Sequence, residues 1–133
     1  MSDEDGIRRT LAEYCQFCDD GRFDELGDLF SEKAVYHVMD KSHEGRPRIK
    51  TFMAEAMPRE RRGKHHCANT VIEVSEDGES ARAFTDYIFV GRTENGFGIT
   101  QVGRYHDRLV KEKDRWRFAE RRVVFLGGEA PEA

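Results

Sequence analysis

The hydrophobic pattern of the chain changes its period near residue 65, and this change constrains the fold more than any other feature. Before this point, apolar residues recur at spacings of three and four, as on one face of a helix; after it they alternate with polar residues, as in a strand. Two-residue turn signals divide the alternating part into runs at about 65–74, 80–92, 97–111 and 115–126: Asp77-Gly78, Asn95-Gly96 and Lys113-Asp114. The second half therefore predicts a four-stranded antiparallel meander.

The first half predicts three helices and one strand. The first helix has a capping residue at Ser2, a stop at Gly21 and a continuous apolar stripe: Ile7, Leu11, Tyr14, Cys15 and Cys18. A short second helix follows at 23–30, a strand at 34–39, and a third helix between Pro47 and Pro58. We therefore predict an α+β fold in one domain at 1–126, followed by a loose tail at 127–133. Its three N-terminal helices pack on a strongly curved, mainly antiparallel sheet, a cone-like barrel that encloses a cavity.

If all three turn signals are two-residue loops, the strand register follows. Asn69 then faces Asp86, Asp86 faces Tyr105, and Tyr105 faces Arg122, with His65 and Gln101 toward one end of this row. We expect the row to line a pocket under the helices; the alternative is that it lies on the solvent face, and one bulge would exchange the two faces. The opposite face would carry His66, Thr70 and Tyr87, and it would suit a homodimer or homotrimer interface.

The charge balance excludes several function classes. The chain has 22 basic and 26 acidic residues, a net charge of −4, which does not favour binding to nucleic acid. It has no apolar run long enough to span a membrane, and its polar start, with no signal-peptide core, predicts a cytoplasmic protein.

Three cysteines, an odd number, indicate reduced thiols. Cys15 and Cys18 form a C-x-x-C pair, which invites a redox interpretation, but no strand precedes it, so we expect both to be buried core residues. Neither the cysteines nor the five histidines have the spacing of a metal site, so we predict no metal and no organic cofactor.

Five segments in order carry a resemblance to a known family: Tyr14 with 18–30, then 43–49, 65–69, 103–107 and 116–122. They contain CDDGRFDELGDLF, HEGRPRI, HHCAN, GRYHD and WRFAERR, respectively. Together they resemble the SnoaL-like branch of the nuclear-transport-factor-two-like superfamily, over nearly the whole chain. That superfamily includes dehydratases, dehydrochlorinases, ketosteroid isomerases, epoxide hydrolases and polyketide cyclases, and also domains that only bind ligands or partners. The fold alone does not choose among them.

The resemblance marks Asp19 and His65 as the catalytic pair of the lyase members. It also implies a pocket tyrosine at Tyr14 and site positions at Tyr36, Asp86 and Arg122; the register adds Asn69 and Tyr105 as substrate-binding candidates. The doubled Asp19-Asp20 leaves open which carboxylate points inward.

These residues predict acid/base chemistry on a small hydrophobic molecule that carries a carbonyl. Asp19 would orient His65, which would remove a proton beside the carbonyl or return one to a leaving hydroxyl. Tyr14 or Tyr36 would bind the carbonyl oxygen, and Asp86, its pKa raised in an apolar pocket, would serve as an acid. Arg122 would pair with Asp86 or hold a substrate carboxylate.

Each of these residues also has a structural alternative. Asp19 could cap a helix, His65 could be a satisfied partner in a strand, Asp86 and Arg122 could form a salt bridge, and the tyrosines could be core residues. We therefore predict a cofactor-independent dehydratase, isomerase or cyclase that works in a closed-ended pocket. The alternative is a non-catalytic ligand-binding or scaffolding domain of the same fold.

Overall fold

Three α-helices and six β-strands form the described part of the chain. The structure, a computed structural model, describes residues 1–113 and 115–128. The helices are α1 (Asp3–Asp20), α2 (Phe23–Asp28) and α3 (Arg46–Ala56), and a 3-10 turn spans Arg59–Arg61. The strands are β1 (Phe30–Val38), β2 (Lys41–Glu44), β3 (Lys64–Val74), β4 (Ser80–Thr93), β5 (Gly96–Glu112) and β6 (Arg115–Phe125). Most of the expected loose tail, and Asp114 of the third predicted turn, lie outside the described residues.

The six strands form one curved, mixed sheet in the order β2-β1-β6-β5-β4-β3. All neighbouring pairs are antiparallel except β1 and β6, which run parallel. The α+β class and the three helices are confirmed, but the sheet is open, with β2 and β3 at its edges, and does not close into a barrel. Strand β2 was not predicted, because its four residues, KSHE, carry no apolar alternation. In the part of the chain described, no helix is long and apolar enough to cross a membrane.

Helix α1 forms where its sequence signals predict. The Ser2 hydroxyl accepts the backbone N–H of Asp5 at 3.1 Å, three acidic residues complement the positive end of the helix, and Gly21 ends it in the left-handed conformation at φ 72°. The apolar stripe of α1, including Cys15 and Cys18, is buried against the sheet, as predicted. This packing fixes the last turn of α1, and with it Asp19, beside β3.

The predicted strand register is correct next to the β3–β4 and β5–β6 turns, but the β4–β5 turn lies at Glu94-Asn95 rather than Asn95-Gly96. Beyond each of three bulges the predicted register is wrong. Between β3 and β4 the shift follows Asn69, which adopts φ 53°; between β4 and β5 it falls at Thr100; between β5 and β6 it falls at Ala119. Each bulge inserts one residue, and an odd insertion exchanges the two faces of a strand because side chains alternate with period two. Asp86 therefore pairs with Arg104 rather than Tyr105, and Tyr105 pairs with Val123 rather than Arg122.

The bulges decide which side chains face the helices. Tyr105 and His65 lie on the helix-facing side, as predicted. Tyr87 was expected on the opposite face, but it is buried on the helix-facing side and stacks on Tyr105 with ring centroids 4.3 Å apart. The expectation that Asn69, Asp86 and Arg122 face the helices is wrong.

Candidate functional site

Asp19 and His65 form a hydrogen-bonded pair between the end of α1 and the start of β3. The Oδ1 of Asp19 lies 2.6 Å from Nδ1 of His65, and its Oδ2 accepts the backbone N–H of His65 at 3.0 Å. Only 5% of the Asp19 side chain and 8% of the His65 side chain are exposed. Asp20, by contrast, is exposed, so the inward carboxylate is that of Asp19.

The pair fixes both the orientation and the tautomer of the imidazole. Because Asp19 accepts at Nδ1, the neutral ring carries its proton on that nitrogen, which leaves the Nε2 lone pair free to take a proton. Within residues 1–113 and 115–128, Nε2 of His65 has no hydrogen-bond partner. The ring is held by Phe89, at a centroid distance of 4.6 Å, and by Tyr14, at 6.3 Å. An imidazole held in this way presents one nitrogen that can accept a proton.

Tyr14 and Tyr36 meet in the interior near the pair. Their hydroxyl oxygens are 2.7 Å apart, and the Tyr14 hydroxyl also lies 3.9 Å from the sulfur of Met53. Burial raises the pKa of Tyr36 to about 12 and that of Tyr14 well above its usual value. Both phenols therefore stay protonated at neutral pH and act as hydrogen-bond donors.

Asp107 and Arg121 form a buried ion pair that the sequence analysis missed. Nε and Nη2 of Arg121 donate to the two carboxylate oxygens of Asp107 at 2.8 and 3.0 Å, and the residues are 1% and 5% exposed. The guanidinium carbon of Arg121 lies 3.6 Å from the ring centroid of Tyr105 and 4.2 Å from that of Tyr14. Burial opposes the charge of the guanidinium, but the charge and hydrogen bonds of Asp107, together with Tyr105 and Tyr14, outweigh it and raise the pKa of Arg121 well above its usual value.

One nitrogen of this guanidinium has no partner among the described residues. Nη1 of Arg121 is buried and forms no hydrogen bond to any described residue. A buried, unsatisfied N–H of a charged group is costly, so such a group in an interior commonly marks a position that a ligand oxygen or a water fills. Strict alternation along β6 predicts that Arg122, not Arg121, points toward the helices. The bulge at Ala119 reverses this and turns Arg121 inward. No local signal in WRFAERR predicts that bulge.

Three predicted site residues lie away from the pair. Asp86 is on the outer face, where it accepts from Nε of Arg104 at 2.5 Å and from Nδ2 of Asn69 at 3.1 Å. These hydrogen bonds, that of Arg104 first, lower the pKa of Asp86, so the predicted raised pKa is wrong. Arg122 alternates with buried Arg121 and lies on the opposite face of β6.

The outer face carries a cavity of its own. It has a volume of about 570 Å³, and it combines the Asp86–Arg104 ion pair with apolar side chains: Ala68, Ile88, Val102, Val124 and Leu126 are among its lining. Asp19 and His65 do not contribute to it, because both lie on the helix side of the sheet. The closed-ended pocket expected around the pair stays a prediction.

Solved structures support the fold over nearly the full chain. A variant of Rv3472 from Mycobacterium tuberculosis, a protein described as of unknown function, is 27% identical, with a TM-score of 0.84 over 90% of this chain and 69% of that one. A candidate scytalone dehydratase from Novosphingobium aromaticivorans is 25% identical, with a TM-score of 0.81 over 92% and 83%. An NTF2-like protein with a cystatin-like fold, also from N. aromaticivorans, is 22% identical and has a TM-score of 0.85 over 96% and 84%.

The family to which the chain belongs is assigned from its sequence. No curated protein sequence matches this chain. The sequence model of the SnoaL-like domain matches residues 1–122, which is almost all of the described chain. The protein therefore belongs to the SnoaL-like domain family, with the NTF2-like fold.

Proposed function

We propose that this protein is a cofactor-independent acid/base enzyme, a dehydratase, isomerase or cyclase, that acts on a hydrophobic small molecule with a carbonyl group. The observation that carries the proposal is the Asp19–His65 hydrogen bond at Nδ1, with Nε2 of His65 bonded to none of the described residues. The similarity to a candidate scytalone dehydratase supports a reaction of this class.

In the proposed reaction, Nε2 of His65 removes a proton from the carbon beside the substrate carbonyl. Asp19 stabilises the imidazolium that forms, and negative charge moves to the carbonyl oxygen. Tyrosine hydroxyls and the unpartnered Nη1 of Arg121 are the interior donors suited to that oxygen. The imidazolium then returns its proton to a departing hydroxyl, which leaves as water, or to another carbon of the substrate, which completes an isomerisation.

A second role, ligand binding or scaffolding without turnover, is favoured by the packing of the interior. The pair is nearly buried, and aromatic rings fill the interior next to it. Tyr14 and Tyr87 lie beside the His65 ring, and three further rings pack against these two: Tyr36, Tyr105 and Phe118. If the domain only binds a ligand, its affinity for a carbonyl compound should not depend on His65 acting as a base.

The test is turnover of aromatic β-hydroxy ketones by the intact protein and its variants. Water loss is followed by the absorbance of the enone, and exchange of the proton beside the carbonyl by NMR in D₂O. We expect His65→Ala and Asp19→Asn each to lower turnover by roughly two to four orders of magnitude, the usual worth of a positioned general base. The double variant should be little worse than the worse single variant, because residues that act as one unit are strongly non-additive.

Two matched controls lie next to the pair. His66 and Asp20 are exposed neighbours, so His66→Ala and Asp20→Asn should keep wild-type turnover. Additive losses in the logarithm of the rate would mean that Asp19 acts independently of His65. Full activity of His65→Ala would show that His65 is not the base and would overturn the proposed reaction. Binding of the ketones without any turnover in the wild type would show that the protein is a ligand-binding domain.

A further inference from the structure

Two cysteines that are distant in sequence meet beside the Asp19–His65 pair. Cys15 lies on α1 and Cys67 on β3, and their sulfur atoms are 3.3 Å apart. All three cysteines of the chain are free thiols, so this contact is a hydrogen bond between thiols. The close pair is therefore Cys15 with Cys67, not the C-x-x-C pair that the sequence suggested.

The two thiols differ in access and in acidity. Cys67 is exposed on the edge strand, whereas Cys15 is buried. The hydrogen bond from the Cys15 thiol stabilises the thiolate of Cys67 and lowers the pKa of Cys67, and the charge of Arg121 lowers it further. The same hydrogen bond, together with burial, raises the pKa of Cys15. Cys67 is thus the first of the two to ionise, and it is the one that a reagent can reach.

We propose that Cys67 and Cys15 form an oxidation site, in which Cys67 reacts with a hydroperoxide and Cys15 then closes a disulfide. In the first step the Cys67 thiolate attacks one peroxide oxygen, the O–O bond breaks, and the other oxygen leaves as an alkoxide or hydroxide that takes up a proton. In the second step the Cys15 sulfur attacks the sulfur of the Cys67 sulfenic acid, an S–S bond forms, and the hydroxyl leaves with the Cys15 proton as water. With hydrogen peroxide, two thiols lose two electrons and two protons, and one peroxide becomes two waters.

The geometry requires only a small movement for closure. A disulfide bond is about 2.05 Å long, so the sulfur atoms must approach by about 1.2 Å, which side-chain rotation can supply in part. Cys15 precedes Asp19 by one helical turn, and Cys67 follows His65 by two residues on the same strand. The disulfide would link the two elements that carry the Asp19–His65 pair. The proposal does not depend on what reaction, if any, that pair performs.

Cys18 provides the internal comparison. It is fully buried on the same helix, and burial raises its pKa to about 12, so it is both inaccessible and protonated at neutral pH. Oxidation should therefore be selective for the other two thiols.

The experiment treats the reduced protein with hydrogen peroxide and follows thiols, mass and connectivity. We expect the thiols titrated in denaturant to fall from three to one, the intact mass to fall by two hydrogens, and peptide mapping to join Cys15 to Cys67. Dithiothreitol should reverse all three changes. Cys18→Ala should give the same cross-link and the same loss of mass, with its titrated thiols falling from two to none.

The order of the two steps has its own test. In Cys15→Ala, the sulfenic acid cannot be resolved, so dimedone should label Cys67; in Cys67→Ala, both remaining thiols should survive the same treatment. The wild-type map needs no variant and decides the proposal even if a variant folds poorly. A cross-link that contains Cys18, a purely intermolecular disulfide, or three thiols that survive millimolar peroxide would overturn it.

Discussion

The buried Asp107–Arg121 pair allows a stability prediction that needs no substrate. Asp107→Asn keeps the volume of the side chain but removes its charge, and it leaves the guanidinium of Arg121, 1% exposed, without a counter-ion. Breaking a buried, doubly hydrogen-bonded pair from one side costs about 3–5 kcal/mol. That loss is a large fraction of the 5–15 kcal/mol that typically stabilises a domain, and it lowers the folding equilibrium constant by roughly two to four powers of ten.

The same reasoning predicts that removing both charges costs far less than removing one. Replacing the pair by apolar side chains of similar size, Asp107→Leu with Arg121→Met, removes the desolvation cost together with the attraction. Such replacements of buried pairs are often neutral or stabilising, so we expect the double variant to be within about 1 kcal/mol of the wild type or above it.

An exposed ion pair between strands β4 and β5 supplies the control. Asp86 and Arg104 retain 34% and 55% side-chain exposure, so solvent screens their attraction. We expect Asp86→Asn to cost no more than about 1 kcal/mol.

Urea unfolding measures all of these free energies, with the fluorescence of the single tryptophan, buried Trp116, as the probe. The reasoning is refuted if Asp107→Asn costs no more than Asp86→Asn. It is also refuted if the double apolar variant loses the sum of the two single losses, because the charges would then not be coupled.

Two further predictions concern backbone space and pH. Gly63→Ala should destabilise the fold by about 1–3 kcal/mol in urea unfolding, because the added Cβ would collide with the backbone carbonyl of Val90. Gly27→Ala is the control and should not destabilise the fold, because the nearest neighbours of its Cβ are 3.5 Å away. Equal stability of the two variants would contradict this prediction. Burial, and then the charges of three nearby arginines, lower the pKa of His106 in the folded protein. The unfolded chain therefore binds a proton at His106 more readily than the folded protein does. The free energy of unfolding consequently falls as the pH drops through about 6.5. His106→Gln should reduce that fall between pH 8 and pH 5, and an unchanged pH dependence would exclude the effect.

Local patterns in the sequence determined the elements of the fold. The stripe of α1, its Ser2 cap and Gly21 stop, and the turns near residues 77 and 95 depend on interactions between residues close in the chain, so they can be predicted without tertiary structure. The same holds for β6 before its bulge, where Trp116 and Phe118 are buried. Asp19 and His65 were found through family resemblance, and their contact follows from the packing of α1 beside β3.

Tertiary structure alone decided which side of the sheet each polar residue faces. Three bulges of one residue each reverse the alternation, and this reversal places Asp86 and Arg122 outward and Arg121 inward. A bulge depends on the fit of a whole strand to its neighbours and to the helices above it as well as on the residues at the bulge, so alternation along one strand does not place it. The contact of Cys15 with Cys67 has the same origin: 52 residues separate the two thiols, and only the docking of α1 on an edge strand brings their sulfur atoms together.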